Sequence, residues 1–98
     1  VMAAQEQIVL LCRKTAKERL ASFFIRLLER QLHLGGPEDQ VHLPMTRLDI
    51  ADYLGLTIET VSRVITQLKT SGLIRLMPGN AIALPDIPAL RSLADGNT

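Results

Sequence analysis

Glu59, Ser62 and Arg63 lie close together in the stretch "LGLTIETVSRVITQLKTSGLI", residues 54–74. A carboxylate only accepts hydrogen bonds, a guanidinium donates in a planar fork, and a hydroxyl does both. On a helix, positions 59 and 63 share one face because they are four residues apart, and 62 lies beside them. Three polar groups of complementary character on one helix face suit the edges of base pairs in a DNA major groove. Arg63 would fork onto the two acceptors of guanine, and Glu59 would accept from the amino group of cytosine. An acid near phosphates is repelled unless a base donor or a neighbouring cation holds it, and an ion pair between Glu59 and Arg63 would meet that cost locally. Ser62 suits either a base or a phosphate. At the start of the same helix, Thr57 and Ile58 offer methyl groups that would meet thymine.

Such a face needs elements to aim it. Thr57 is a candidate cap for a helix over about residues 58–71, with Val61, Val64, Ile65 and Leu68 as its buried side and Gly72 as its stop. A shorter helix precedes it. Thr46 caps that one, Asp49 completes a capping box, Ile50, Ala51 and Leu54 face inward, and Gly55 ends it. Two helices joined by so short a turn form a helix-turn-helix when they pack closely. Ala51 is small where the helices approach, Gly55 suits a positive φ, and Ile50, Leu54, Leu56, Val61 and Val64 fill the wedge.

Upstream, Thr15 and Glu18 form another capping box. Ala16, Leu20, Phe23, Phe24, Leu27, Leu28 and Leu34 make a helical stripe that stops at Gly35-Gly36-Pro37. "QVHL", residues 40–43, alternates like a short strand. Runs 73–77 and 81–84 flank Pro78-Gly79-Asn80 and predict a β-hairpin. The hairpin turns the helix pair into a winged helix. A short helix is expected from Ile87 to Leu93, with a fraying tail. Residues 1–11 place apolar side chains at 1, 2, 8, 9, 10 and 11 in a helix-like pattern and suggest the end of a longer helix.

Ninety-eight residues suit one domain, mainly α with a small β-hairpin. The formal charge of +1 is silent about partners, because it says nothing of how charge is distributed. Aromatic content of 3% argues against a stacking platform for single strands. The longest apolar run, Ile8 to Cys12, is far short of the roughly 18 residues of a membrane span. One cysteine forms no internal disulfide and fits a reducing, cytoplasmic setting. No catalytic motif is present, and His33 and His42 have no metal-ligand spacing, so neither an enzyme nor a metal or cofactor site is expected.

"MTRLDIADYLGLTIETVSRVITQLKTSGLI" resembles the DNA-binding domain of CRP/FNR-type bacterial transcription regulators, and Glu59 to Arg63, "ETVSR", resembles the recognition helix of the FNR and FixK branch. "LCRKTAKERLASFFIRLLERQ" is similar to the first helix of that domain. The resemblance implies that residues 1–11 end a dimerisation helix and that 12–98 form the DNA-binding domain. It implies a full-length homodimer reading inverted repeats with TTGA-like half-sites, and RNA polymerase as a candidate further partner. CRP-type members carry arginine where this chain has Ile58, which disfavours a TGTGA preference. The cysteines with which FNR proper holds an iron–sulfur cluster are not in this stretch.

Phosphate contacts are expected around the reading face, from Thr46, Arg47, Thr60, Gln67 and Lys69, and from Arg75 and Asn80 on the wing. The competing reading of each is a solvated surface residue. Cys12 is a candidate redox residue, since Arg13, Lys14 and a helix start at Thr15 favour its thiolate; the competing reading is a small buried hydrophobe. The alternative function is a winged helix for protein contact, which has no need of Glu59, Ser62 and Arg63 in reading positions.

Overall fold

The computed structural model describes residues 14–96. The expected end of a dimerisation helix, residues 1–11, and Cys12 lie outside them. In chain order the elements are α1 (Ala16–His33), β1 (Gln40–His42), α2 (Arg47–Leu54), α3 (Ile58–Thr70), β2 (Arg75–Met77), β3 (Ala81–Ala83) and α4 (Ile87–Ala94).

The helix starts follow from local chemistry. Thr15 and Thr46 each accept a hydrogen bond from the backbone N–H three residues on, and the carboxylates of Glu18 and Asp49 accept from the cap backbone in return. Thr57 caps α3 by accepting from the Thr60 N–H at 3.1 Å. Asp86 caps α4 through the Ala89 N–H.

Leu34 closes α1 as its C-cap instead of extending the apolar stripe, and it is 77% exposed. The Gly35 N–H donates to Leu32 O and the Gly36 N–H to Gln31 O at 2.7 Å. This closure turns the chain away from the core before Leu34 can bury. A side chain at Gly36 would put its Cβ 2.8 Å from Gln31 O, so only glycine fits that approach.

The core lies between α1 and everything else. Leu20, Phe24 and Leu28 of α1 meet Val61, Ile65 and Leu68 of α3, Ile50 of α2, and Leu90 of α4, all nearly inaccessible to solvent. Ala21 and Ile25 are buried as well, which widens the α1 stripe beyond the positions read from periodicity. Leu54 and Leu56 pack against this cluster half-buried.

The sheet differs from a lone hairpin. Its order is β1-β3-β2, with both pairs antiparallel. Ile82 of β3 sits opposite Val41 on one side and Leu76 on the other. Val41 and Ile82 are buried, and Leu76 is 42% exposed. One side of β3 is therefore anchored in the core, and β2 projects into solvent as the wing. Leu73 and Ile74 precede β2, so the strand is shorter than its apolar run; Ile74 is drawn into the core instead. The outer edge of β1 is closed by a side chain. The Gln31 amide donates to His42 O at 2.7 Å and accepts from His42 N–H at 2.9 Å. That clamp ties the sheet to α1.

Candidate nucleic-acid interface

The turn between α2 and α3 sets the site. Gly55 adopts a left-handed conformation, φ 70°, and its N–H and that of Leu56 both return to Ala51 O. A residue with a Cβ is strained there. Two residues later Thr57 opens α3. Val61, Val64, Ile65 and Leu68 bury one side of α3. Glu59, Arg63, Thr66, Gln67 and Thr70 lie exposed on the opposite side, and Ser62 is half-buried at its flank. The α-helical repeat alone requires this division, because Glu59, Arg63, Thr66 and Thr70 follow three- and four-residue steps.

The structure thus brings Glu59, Ser62 and Arg63 onto one outward face. It does not pair the acid with the arginine. Among the described residues the only ion pair within 4.0 Å is Arg91 with Glu29, at 3.3 Å. An exposed i,i+4 pair is worth only a few tenths of a kcal/mol, too little to hold two long side chains together in water. Both groups are therefore available to an external partner. Thr66 was not singled out from sequence, yet it lies one turn beyond Ser62. Its hydroxyl donates to Ser62 O at 3.1 Å. Its four-residue spacing from Ser62 was the signal.

The helix start is already busy. The Thr57 hydroxyl accepts from Thr60 N–H and donates to Thr60 Oγ1 at 2.9 Å. Only its methyl remains for an apolar contact, beside Ile58, which is 40% exposed. Thr60 accepts the Thr57 proton and so retains its own hydroxyl hydrogen for an outside acceptor.

The residues expected at phosphates fall into two groups. Thr46, Arg47 and Asn80 line one groove of about 510 Å³ between the start of α2 and the wing, with Leu76 and Met77 on its wall. Thr46 accepts from Asp49 N–H at 3.1 Å and likewise keeps a hydroxyl hydrogen. Asn80 is held at φ 59°, and its carbonyl accepts from Leu43 N–H at 2.8 Å, which fixes the wing tip against the strand preceding α2. Thr60, Gln67, Lys69 and Arg75 do not line this groove. Lys69 also stands in the last turn of α3, where a cation suits the helix dipole.

These features define a winged helix-turn-helix whose second helix presents a polar face clear of the core. The sequence profile of the Crp-like helix-turn-helix domain matches residues 18–93. The chain is 50% identical over 92 residues to the nitrogen fixation regulation protein FixK of Rhizobium meliloti, covering 94% of this chain and 42% of that protein. It is 42% identical over 92 residues to the transcriptional activator protein FnrA of Stutzerimonas stutzeri, covering 94% and 37%. In three dimensions it resembles FixK2 from Bradyrhizobium japonicum, with a TM-score of 0.75 and 41% identity over 92% of this chain and 43% of that one. The chain belongs to the Crp-like helix-turn-helix family, among relatives of the FixK and FNR type. It spans about two fifths of the length of these relatives.

Proposed function

We propose that this chain is the sequence-specific, double-stranded DNA-binding domain of a bacterial transcription regulator. Helix α3 enters the major groove, and the start of α2 and the wing grip the flanking backbone. The observation that carries this reading is the α3 face itself. Glu59 and Arg63 point outward with Ser62 half-buried at their flank, and no hydrogen bond or ion pair engages the Glu59 or Arg63 side chain among the described residues. Arg63 takes the two guanine acceptors, Glu59 the cytosine amino group, and the methyls of Thr57 and Ile58 a thymine. Thr46, Arg47, Thr60, Gln67, Lys69, Arg75 and Asn80 act on phosphates. They set register and orientation without reading sequence.

The likeness to FixK- and FNR-type regulators supports TTGA-like half-sites in an inverted repeat. It also supports a cytoplasmic homodimer in the full-length protein, with residues 1–11 as the end of the dimerisation helix and residues 12–98 as the DNA-binding domain. A relative named a transcriptional activator makes RNA polymerase a further partner to examine. Among the described residues no helix is long and apolar enough to cross a membrane. The role is binding, with no chemical step.

Fluorescence anisotropy with labelled duplexes tests the reading. A duplex carrying an inverted TTGA repeat should bind more tightly than a scrambled one. Affinity for both should fall as salt rises, because bound phosphates release counterions. Equal affinity for the two duplexes, or binding indifferent to salt, would favour the protein-contact alternative.

A further inference from the structure

Helix α2 ends on carbonyls that its own sequence does not serve. It has no basic residue in its last turn. Gly55 and Leu56 N–H groups both turn back to Ala51 O. The Leu54 carbonyl sits at the negative end of the helix, in the turn that must aim α3. Arg19, 35 residues earlier, reaches it: its Nη1 donates to Leu54 O at 3.1 Å in a part-buried position. The same nitrogen lies 3.9 Å from where a Cβ on Gly55 would stand. The guanidinium therefore covers the turn from the α1 side.

Arg19 is itself held firmly. It lies in the first turn of α1, and its backbone N–H donates to Thr15 O at 2.9 Å, next to the Thr15–Glu18 capping box. Leu20, its neighbour, is fully buried in the core. One side of the staple is thus the rigid start of α1, and the other is three residues from Thr57, where α3 begins. A charged donor on a helix-end carbonyl is stronger than a neutral one. Its planar fork loses little freedom on binding.

We infer that Arg19 is a positioning residue for DNA reading: it fixes the α2–α3 turn to α1 and so sets the angle at which Glu59, Ser62 and Arg63 meet base edges, without touching DNA itself. This rests on the DNA-binding reading above. Base contacts tolerate misplacement poorly, whereas phosphate contacts made by long side chains tolerate it better. Loss of the staple then degrades discrimination more than grip.

The test compares the 98-residue chain with Arg19→Met and Arg19→Lys. Arg19→Met should bind a scrambled duplex within about twofold of the parent and lose about tenfold in preference for the inverted TTGA repeat, the scale of one base contact. Arg19→Lys, which keeps a charged donor, should recover much of that preference. In a double-mutant cycle the preference lost in Arg19→Met should not add to that lost in Arg63→Ala, since both act on one contact. A purely structural role would lower the melting temperature and leave the ratio intact, and additive losses or an unchanged ratio would overturn the inference. If Arg19→Met fails to fold, Arg19→Gln, with a neutral donor, carries the same comparison. A parent that cannot tell the two duplexes apart would instead remove the functional reading. In that case NMR of the free protein still decides about the staple. Amide resonances of residues 55–63 should move in Arg19→Met and return in Arg19→Lys, while those of β3 stay; unmoved resonances would overturn it on their own.

Discussion

Arg63 and Lys69 stand on the same helix and should fail differently when truncated. Arg63→Ala removes a forked contact to guanine, so it should cost about 1–3 kcal/mol and flatten selectivity at that base pair. Lys69→Ala removes at most one phosphate contact. It should weaken all sequences alike and reduce the salt slope by about one. Anisotropy titrations on matched and singly mismatched duplexes at several salt concentrations distinguish the two. An Arg63→Ala variant that loses equal affinity for matched and random DNA would remove Arg63 as a reader. Thr57 is a different case, because its hydroxyl serves the helix and not the groove. Thr57→Ala should cost about 1 kcal/mol of stability through the lost cap, and a thermal melt would register it before any binding assay.

At the level of elements, Gly55 is the position where an added methyl would strain the turn that aims α3. Its φ of 70° places it in the left-handed region, where a side chain costs about 1–2 kcal/mol. Gly55→Ala should lower the melting temperature by several degrees, and calorimetry would detect it. The three threonine caps, the turn glycine and the buried side of α3 were legible in the sequence because each is set by residues within four positions of one another. Other features were not. β1 joins β3 through Val41 and Ile82, which are far apart in the chain, and no local pattern reveals that pairing. Leu34 looks periodic with Leu27 and Leu28, but the chain reverses just beyond it. The expected Glu59–Arg63 pair followed from spacing alone, and spacing does not weigh water against a weak exposed attraction. Nothing local marks the role of Arg19, because its partner carbonyl lies 35 residues away.

For the whole molecule, α1 is the hub: α3, β1 and α4 all pack on it, and the wing is tied to it through the pairing of β3 with β1. Two such bodies on one face of a duplex should address half-sites about one helical turn apart, near 34–36 Å. If the full-length protein is the proposed homodimer, its selection from random duplexes should return a dyad with TTGA-like arms. A selection returning single sites, or a TGTGA core, would contradict this. The isolated domain should lose much of the preference for a dyad over a half-site, because nothing then supplies the effective concentration of a second, tethered copy.

Gln31 closes the outer edge of the sheet with a primary amide, and primary amides are among the groups that hydrolyse with heat and time. Conversion to a carboxylate would keep the acceptor facing His42 N–H but set oxygen against oxygen at His42 O, where the amide now donates. The strand would then show a bare backbone edge, and bare edges recruit other copies. Gln31→Glu should therefore lose monodispersity in solution before it loses helix content. Light scattering read alongside circular dichroism would show the two properties parting.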